Sequence, residues 1–392
     1  MTRPFAYIFV GTVAAVAVVI AVGAVRPGAL ATPTTMKVED FGAYWTGTKV
    51  HLAGHNAYDP PNLLPLQVAI EPDRTEPVAA WSPPWTFAVL APFAPLDFAT
   101  ARWVWRFIQI GSLLAAVTAV WRAYGGPPDR VLWGWMATLG WYPTLQVIGL
   151  GQHSTVVLLG VAGWLAAHAR GWHFAAGACL ALVLVKPQNL CLFGLLYLVW
   201  ALDRRAWREL AGGLVAGALL SIAAAVPNPA VFADYFDALL HRPPSTTLPP
   251  TVGMFLRLAF GTERFWLVLA PTVAGVIWCV WYYARHRRDW DWGERLPVVL
   301  FASYLVSPYG WVYDQVLFLV PAVQLVACAA ARRPAVGPVL LAGIAGLTVV
   351  CYGLHAAGFR EITFVWLAPL TLVLYLLGRR AVGGRLALQT GR

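Results

Sequence analysis

The sequence is poor in charged residues and in paired cysteines, and each of these two shortages excludes a class of protein; lysine is also rare. Only 12% of its 392 residues are charged, against about 25% in soluble domains. Hydrophobic residues make up 59% of the chain, more than a soluble fold of this length can bury, so part of the surface must face lipid. The five cysteines lie inside apolar runs without C-x-x-C spacing, which predicts neither disulfides nor structural zinc.

The formal net charge of +10 would suggest a nucleic-acid partner in a soluble protein. Here the basic residues, nearly all arginines, stand in short clusters between apolar runs, a pattern typical of membrane topology. We therefore predict no nucleic-acid partner and a lipid bilayer instead. The preference for arginine over lysine is typical of a GC-rich bacterial genome and predicts a multi-pass protein of the bacterial plasma (inner) membrane.

The apolar runs predict an all-α polytopic membrane protein with about twelve transmembrane helices. The first run, 5–25, is longer than the core of a signal peptide and is predicted to stay as an anchor. The others lie near 104–121, 131–149, 155–169, 173–187, 189–202, 209–226, 265–284, 296–310, 314–331, 336–354 and 362–378. Together they predict one membrane domain over 1–392, with the remaining bundle over 104–378.

Orientation follows from the arginine clusters, which mark cytoplasmic connections. They predict that both termini, including the tail 379–392, lie inside, and that a long first loop, 26–103, lies outside. Within that loop, segment 82–98 is apolar but short and contains four prolines. We predict a re-entrant or interfacial segment, since a lone crossing would reverse every later loop. The alternative is a crossing paired with another short one.

Unusual polar residues collect on the predicted outer face. Asp40 follows the first helix and precedes the aromatic residues Phe41, Tyr44 and Trp45. A carboxylate there can act as general base on a sugar hydroxyl; the alternative is an ordinary solvated acid. Lys186 ends an apolar run before Pro187. A cation at such a position either binds an anionic partner, such as a lipid phosphate, or only extends its side chain to the membrane–water interface.

Two further outer connections carry candidate ligands. Asp314, beside Tyr313, stands at a helix boundary, where it either orients a sugar hydroxyl or pairs with a basic residue. Gln152 and His153 lie in the turn GLGQHS and offer hydrogen bonds to a sugar or phosphate, unless they serve the turn alone.

Two patterns that suggest metal sites are weak. Asp289 and Asp291 have the D-x-D spacing of metal-dependent transferases, but the predicted topology places them in a cytoplasmic loop among arginines. His51 and His55 are four residues apart without the glutamate of an H-E-x-x-H motif, and no third ligand is evident. We expect no metal and no cofactor.

Four blocks in order resemble glycosyltransferase family 87, membrane transferases of the GT-C superfamily that use polyprenyl-phosphate sugars. They are DFGAYWTGTKVHLAGHNAYDPP, WSPPWTFAVLAPFAPL, the stretch from GQHS to VKPQ, and SPYGWVYDQVLFLVPAV. The resemblance implies a GT-C-type bundle. It also implies an inverting transfer of a monosaccharide, with mannose as the leading candidate, from a polyprenyl-phosphate donor to a lipid or glycan acceptor at the outer leaflet.

The resemblance also implies roles for residues. Asp40 takes the position of the catalytic base, with Glu39 as the fallback, while Lys186, Gln152 and His153 fall where the family contacts donor phosphate and sugar. We also expect Tyr313 and Asp314 to contact substrate, and Arg242, in the loop 227–262, to help cover the cavity. The competing classes are a flippase for lipid-linked sugars and a non-catalytic partner in envelope biosynthesis.

Overall fold

The structure is a computed structural model that describes residues 40–79, 81–242, 247–384 and 386–388. The predicted first transmembrane helix, 5–25, and the fallback Glu39 lie outside these residues. The described residues are 78% helical and contain no β-strand. This composition confirms the all-α class.

The first half of the chain forms α-helices of very unequal length. They are α1 (Asp40–Leu52), α2 (Pro60–Ile70), α3 (Trp85–Leu90), α4 (Phe98–Ala123), α5 (Val131–Leu139), α6 (Tyr142–Gly149), α7 (Ser154–Ala169), α8 (His173–Leu180) and α9 (Cys191–Asp203). Short 3-10 helices at Ala181–Val185 and Pro187–Leu190 join α8 to α9.

The second half of the chain continues with further α-helices. They are α10 (Trp207–Ala225), α11 (Val231–His241), α12 (Val252–Phe260), α13 (Ala270–His286), α14 (Trp292–Leu305), α15 (Leu319–Arg332), α16 (Gly337–Ala356) and α17 (Leu367–Val382). Two 3-10 helices, Val312–Phe318 and Glu361–Trp366, lead directly into α15 and α17.

Among the residues that the structure describes, six helical segments are long and apolar enough to cross a membrane. They are Phe98–Ala123, Trp207–Ala225, Phe265–Asp289, Val312–Arg332, Pro334–Ala356 and Glu361–Val382. Segment 312–332 is almost wholly buried, whereas the others expose much of their apolar surface, as expected for helices that face lipid. Segment 312–332 therefore forms the centre of the bundle. The count of twelve helices and the orientation stay predictions.

The predicted outer loop 26–103 is more structured than expected, because α1, α2 and α3 all fall within it. The first long helix, α4, begins at Phe98 rather than at 104, because the Asp97 carboxylate caps it by accepting a hydrogen bond from the Thr100 amide at 3.0 Å. Before Phe98, the helical part of segment 82–98 is 85–93. Nine helical residues span about 14 Å, less than half of the hydrocarbon core.

One predicted helix is broken. The run 131–149 is divided into α5 and α6 at Gly140 and Trp141. Trp141 is extended, and Pro143 lies in the first turn of α6. Proline lacks the amide hydrogen that a continuous helix would donate to the Leu139 carbonyl, whereas the first turn of a new helix does not need it. Apolar periodicity alone did not reveal this break.

Candidate active site

Asp40 lies at the start of α1, where a carboxylate interacts favourably with the helix dipole. The next residue, Phe41, donates its amide hydrogen to the Leu150 carbonyl at 3.1 Å and packs its ring on Trp105, with 6.0 Å between centroids. These contacts tie the first turn of α1 to the connection between α6 and α7. They bring Asp40 to the predicted turn 149–154.

That turn requires glycine at position 151. Gly151 has a φ of +68°, and a Cβ atom there would lie 2.6 Å from the Cβ of Phe41, so a side chain would be both strained and crowded. Trp105 of α4 donates its indole N–H to the Gly151 carbonyl at 2.7 Å, and Gln109 donates to the Gln152 carbonyl at 2.6 Å. The turn is therefore held rigidly, with Gln152 aimed toward α1.

The Gln152 side chain connects the two halves of the site. Its amide nitrogen donates a short hydrogen bond to the Oδ2 atom of Asp40. Its oxygen accepts hydrogen bonds from the Tyr44 hydroxyl and from Lys186 Nζ, each at 2.9 Å. The two donors, Tyr44 and Lys186, need the amide oxygen, and the acceptor, Asp40, needs the amide nitrogen. Only one orientation of the Gln152 amide satisfies all three, so its nitrogen faces Asp40.

Lys186 is buried, with 6% of its surface exposed. Pro187 begins a new 3-10 helix, so that Lys186 separates two 3-10 helices and its side chain turns into the bundle. Besides Gln152, its Nζ donates to Ser154 Oγ at 3.1 Å and to Asp314 Oδ1 at 2.8 Å. All three hydrogens of the ammonium group can thus be used within the protein.

Asp314 is the ionic partner of Lys186, and only 1% of its surface is exposed. Its Oδ1 atom also accepts a hydrogen bond from Ser154 at 2.5 Å, and its Oδ2 atom accepts one from the Trp311 amide at 2.9 Å. Of the two alternatives for this acid, pairing with a basic residue is the one observed. The neighbouring Tyr313 ring lies over Lys186 Nζ at 4.5 Å.

His153 packs edge-on against Tyr44, with 4.5 Å between ring centroids. Its Nε2 atom lies 3.4 Å from the Ser82 hydroxyl, and its buried Nδ1 atom has no hydrogen-bond partner in the described part of the chain. Burial lowers the pKa of His153 well below its usual value, and Lys186 lowers it further. The imidazole is therefore neutral near pH 7 and can both donate and accept a hydrogen bond without adding a charge to the site.

The Asp40 carboxyl group also has an altered acidity. Burial raises the pKa of its carboxyl group above the ordinary value of 3.8, and Asp314 adds to the rise. The hydrogen bond from Gln152 and the charge of Lys186 act in the opposite direction. A carboxylate with a raised pKa is a stronger base than an exposed one.

Six of the seven predicted site residues lie together. Asp40, Gln152, His153, Lys186, Tyr313 and Asp314 are joined by the contacts above. Arg242 instead donates to Asp59 at 3.4 Å, in a half-exposed pair. A contact between Arg242 and substrate stays a prediction.

Sequence reasoning missed two members of the site as ligands. Ser154 contacts both Lys186 and Asp314, and Tyr44 holds the Gln152 oxygen. Tyr44 could have been found from its spacing, since it lies four residues after Asp40 and so on the same face of α1. Ser154 directly follows Gln152 and His153, but a serine before an apolar helix usually indicates only a helix cap.

The two weak metal patterns have ordinary contacts. Asp291 caps α14 by accepting a hydrogen bond from the Gly293 amide at 2.7 Å, and Asp289 pairs with Arg295 at 3.2 Å. His51 is buried against Phe87, at 4.9 Å between rings.

Comparison with known proteins identifies the family. The model of glycosyltransferase family 87 matches residues 82–308, which is more than half of the chain and includes Gln152, His153 and Lys186. Asp40, Tyr313 and Asp314 lie outside the matched segment. No curated protein and no solved structure matches the chain. The extent of the family match shows that this chain belongs to glycosyltransferase family 87.

Proposed function

We propose that the protein is an inverting glycosyltransferase in which Asp40 is the general base. The donor would be a polyprenyl-phosphate monosaccharide, with mannose as the leading candidate for the sugar. The acceptor would be a lipid or glycan hydroxyl at the outer face of a bacterial inner membrane. The observation that carries this proposal is the link from Asp40 through Gln152 to the buried Lys186. It places a raised-pKa carboxylate and a cation in one site.

Asp40 is suited to accept a proton. Gln152 holds Oδ2, and we assign the other oxygen, Oδ1, to the acceptor hydroxyl. Deprotonation strengthens that hydroxyl as a nucleophile toward the anomeric carbon of the donor, whose phosphate is a good leaving group. Because the hydroxyl attacks from the face opposite the phosphate, the configuration at the anomeric carbon is inverted.

The charges of the site are compatible with departure of the phosphate. Two carboxylates, Asp40 and Asp314, face one ammonium group, Lys186, so this group of three is net negative before the reaction. Transfer of the acceptor proton to Asp40 makes the group neutral at the moment when the leaving phosphate gains charge. The general base would thus also reduce electrostatic repulsion of the product.

We assign Lys186 to the donor phosphate. Its three hydrogens already have partners, so a phosphate oxygen would replace Gln152 or Ser154 while the ion pair with Asp314 remains. Tyr313 and His153 border Lys186 and Gln152. An aromatic face and a neutral imidazole are the groups that commonly contact a sugar ring, and we assign them that role.

Sugar transfer in proteoliposomes tests the function. The assay would supply radiolabelled polyprenyl-phosphate mannose with membrane lipid extract as the acceptor source and measure labelled product. We expect Asp40→Asn to lower transfer by about 10² to 10⁴-fold, the usual contribution of a general base. Asp73→Asn is the matched control, since Asp73 is an exposed acid of the same segment. Equal loss in both variants would contradict the role of Asp40.

The same preparation separates the competing classes. Movement of the labelled lipid between leaflets without product would indicate a flippase, and neither activity would indicate a non-catalytic partner. Orientation is tested by cysteine labelling in intact cells, in a background with the five native cysteines replaced by alanine. We expect an impermeant maleimide to label Asp73→Cys but not Arg208→Cys; the reverse pattern would overturn the proposed topology.

A further inference from the structure

A second polar cluster lies far from the site just described. His168, His173 and Glu209 direct their ligand atoms to one point, and these atoms all lie within 4.8 Å of one another. Glu209 Oε1 is 2.7 Å from Nδ1 of His168 and 3.0 Å from Nδ1 of His173. His168 is fourteen residues beyond Ser154 on α7, which places the cluster about 21 Å along the helix from the candidate active site.

The backbone holds these three side chains at a fixed spacing. His168 lies in the last turn of α7, His173 begins α8 and Glu209 lies in the first turn of α10. Helices α8 and α10 touch through glycines: a Cβ atom on Gly212 would lie 2.0 Å from the Phe174 carbonyl oxygen. Such close backbone contact leaves little freedom for Glu209 to move relative to His173.

The two oxygens of Glu209 have different surroundings. Oε2 accepts hydrogen bonds from the Trp164 indole at 3.2 Å and from the Tyr197 hydroxyl at 3.4 Å. Oε1 faces the two histidines. Metal-binding carboxylates are commonly held in this way: neutral hydrogen-bond donors orient one carboxylate oxygen, and the second oxygen faces the metal beside the imidazoles. His168 is further fixed by stacking on Trp164, at 5.6 Å between centroids.

We propose that His168, His173 and Glu209 bind one divalent first-row transition-metal ion, with Zn²⁺ as the reference. Two imidazole nitrogens and one carboxylate oxygen suit Zn²⁺ and its neighbours, whereas Mg²⁺ and Ca²⁺ favour oxygen alone. Ligands of a tetrahedral zinc ion are about 3.3 Å apart. The two separations between Glu209 Oε1 and the histidines, 2.7 and 3.0 Å, would therefore widen by about 0.6 and 0.3 Å, within the 4.8 Å that encloses all three ligand atoms.

The site is open on one side. The Glu209 side chain is almost fully buried, but the His173 side chain is 45% exposed, which gives the ion an entry path and leaves room for a water as fourth ligand. The ion would join the end of α7 to the start of α8 and α10. Its role is structural and goes beyond the proposed sugar transfer. The prediction of no metal from the sequence did not include this site, because its histidines and glutamate belong to no familiar motif.

Direct measurement of bound metal tests the proposal. The full chain would be purified in detergent, its affinity tag removed, stripped with a chelator and dialysed against Zn²⁺. We expect about one zinc per chain and, with Co²⁺, the visible absorption of a tetrahedral site. Fewer than about 0.1 zinc per chain would overturn the proposal and indicate a hydrogen-bonded histidine–carboxylate cluster.

Variants keep the test independent of folding and of activity. His173→Ala removes a half-exposed ligand and is expected to weaken zinc binding at least about tenfold, with an unchanged elution volume in size-exclusion chromatography. The matched control is His241→Ala, because His241 pairs with Asp237, at 2.9 Å, and belongs to no group of three ligands among the described residues. Zinc binding by His173→Ala as tight as that of the unaltered chain would overturn the proposal.

Discussion

The buried pair of Lys186 and Asp314 provides a quantitative test of the network. Their charged atoms are 2.8 Å apart, which corresponds to an attraction of about 6 kcal/mol at an effective dielectric constant of 20. Desolvation of both groups offsets much of this attraction. Removing one partner leaves the other charge buried and unpaired, so we expect Lys186→Met and Asp314→Asn each to destabilise the protein by about 3–5 kcal/mol.

The double variant separates pairing from burial. If the two charges stabilise each other, Lys186→Met with Asp314→Asn is destabilised by at least about 2 kcal/mol less than the sum of the single variants. The assay is reversible unfolding by SDS in mixed micelles, monitored by tryptophan fluorescence. The control cycle is Arg242→Met with Asp59→Asn, whose half-exposed pair is expected to contribute less than about 1 kcal/mol.

The outcome that would refute this reasoning is additivity. Single-variant losses for Lys186 and Asp314 that add within about 0.5 kcal/mol would show that the two groups do not interact. Losses below about 1 kcal/mol in both single variants would show that neither charge is desolvated. Either result would remove the ion pair from the account of the site.

Two further predictions concern acidity and packing. Since Asp40 must be ionised to act as a base, kcat/KM should fall as pH falls through its raised pKa. Lys186→Met removes a charge that lowers this pKa and should move the acidic limb of the pH profile to higher pH, whereas Asp314→Asn removes a charge that raises it and should move the limb to lower pH. Shifts in the same direction would contradict the assigned couplings. Gly212→Ala should lower the free energy of unfolding by about 1–3 kcal/mol, because the added methyl group meets the backbone of α8. The control Gly111→Ala, whose methyl group meets nothing within 4 Å, should be neutral or stabilising. Equal SDS midpoints for the two variants would show that α8 and α10 are not closely packed.

Much of the site could be predicted because polar residues are rare in this chain. With only three lysines in the sequence, Lys186 at the end of an apolar run was conspicuous, and so were Asp314 and the turn at Gln152. Their mutual contacts could not be predicted, since residues 40, 152, 186 and 314 meet only through the packing of helices that are distant in sequence. The pairing of Asp314 with Lys186 therefore remained one of two alternatives.

The fold was predictable where apolar runs are uninterrupted and unpredictable where local chemistry intervenes. Runs such as 155–169 and 209–226 correspond closely to α7 and α10. The break between α5 and α6 depends on Pro143, and the early start of α4 on the Asp97 cap. The cluster at Glu209 was missed because its ligands are sparse in sequence and become neighbours only through the glycine contact between α8 and α10.

The central claim is that Asp40 removes the proton of the acceptor, and it is tested most directly by separating donor binding from transfer. In Asp40→Asn we expect the affinity for polyprenyl-phosphate mannose to stay within about threefold of the unaltered enzyme, while the single-turnover rate falls at least about 100-fold. A single-turnover rate within about threefold of the unaltered enzyme would contradict the claim.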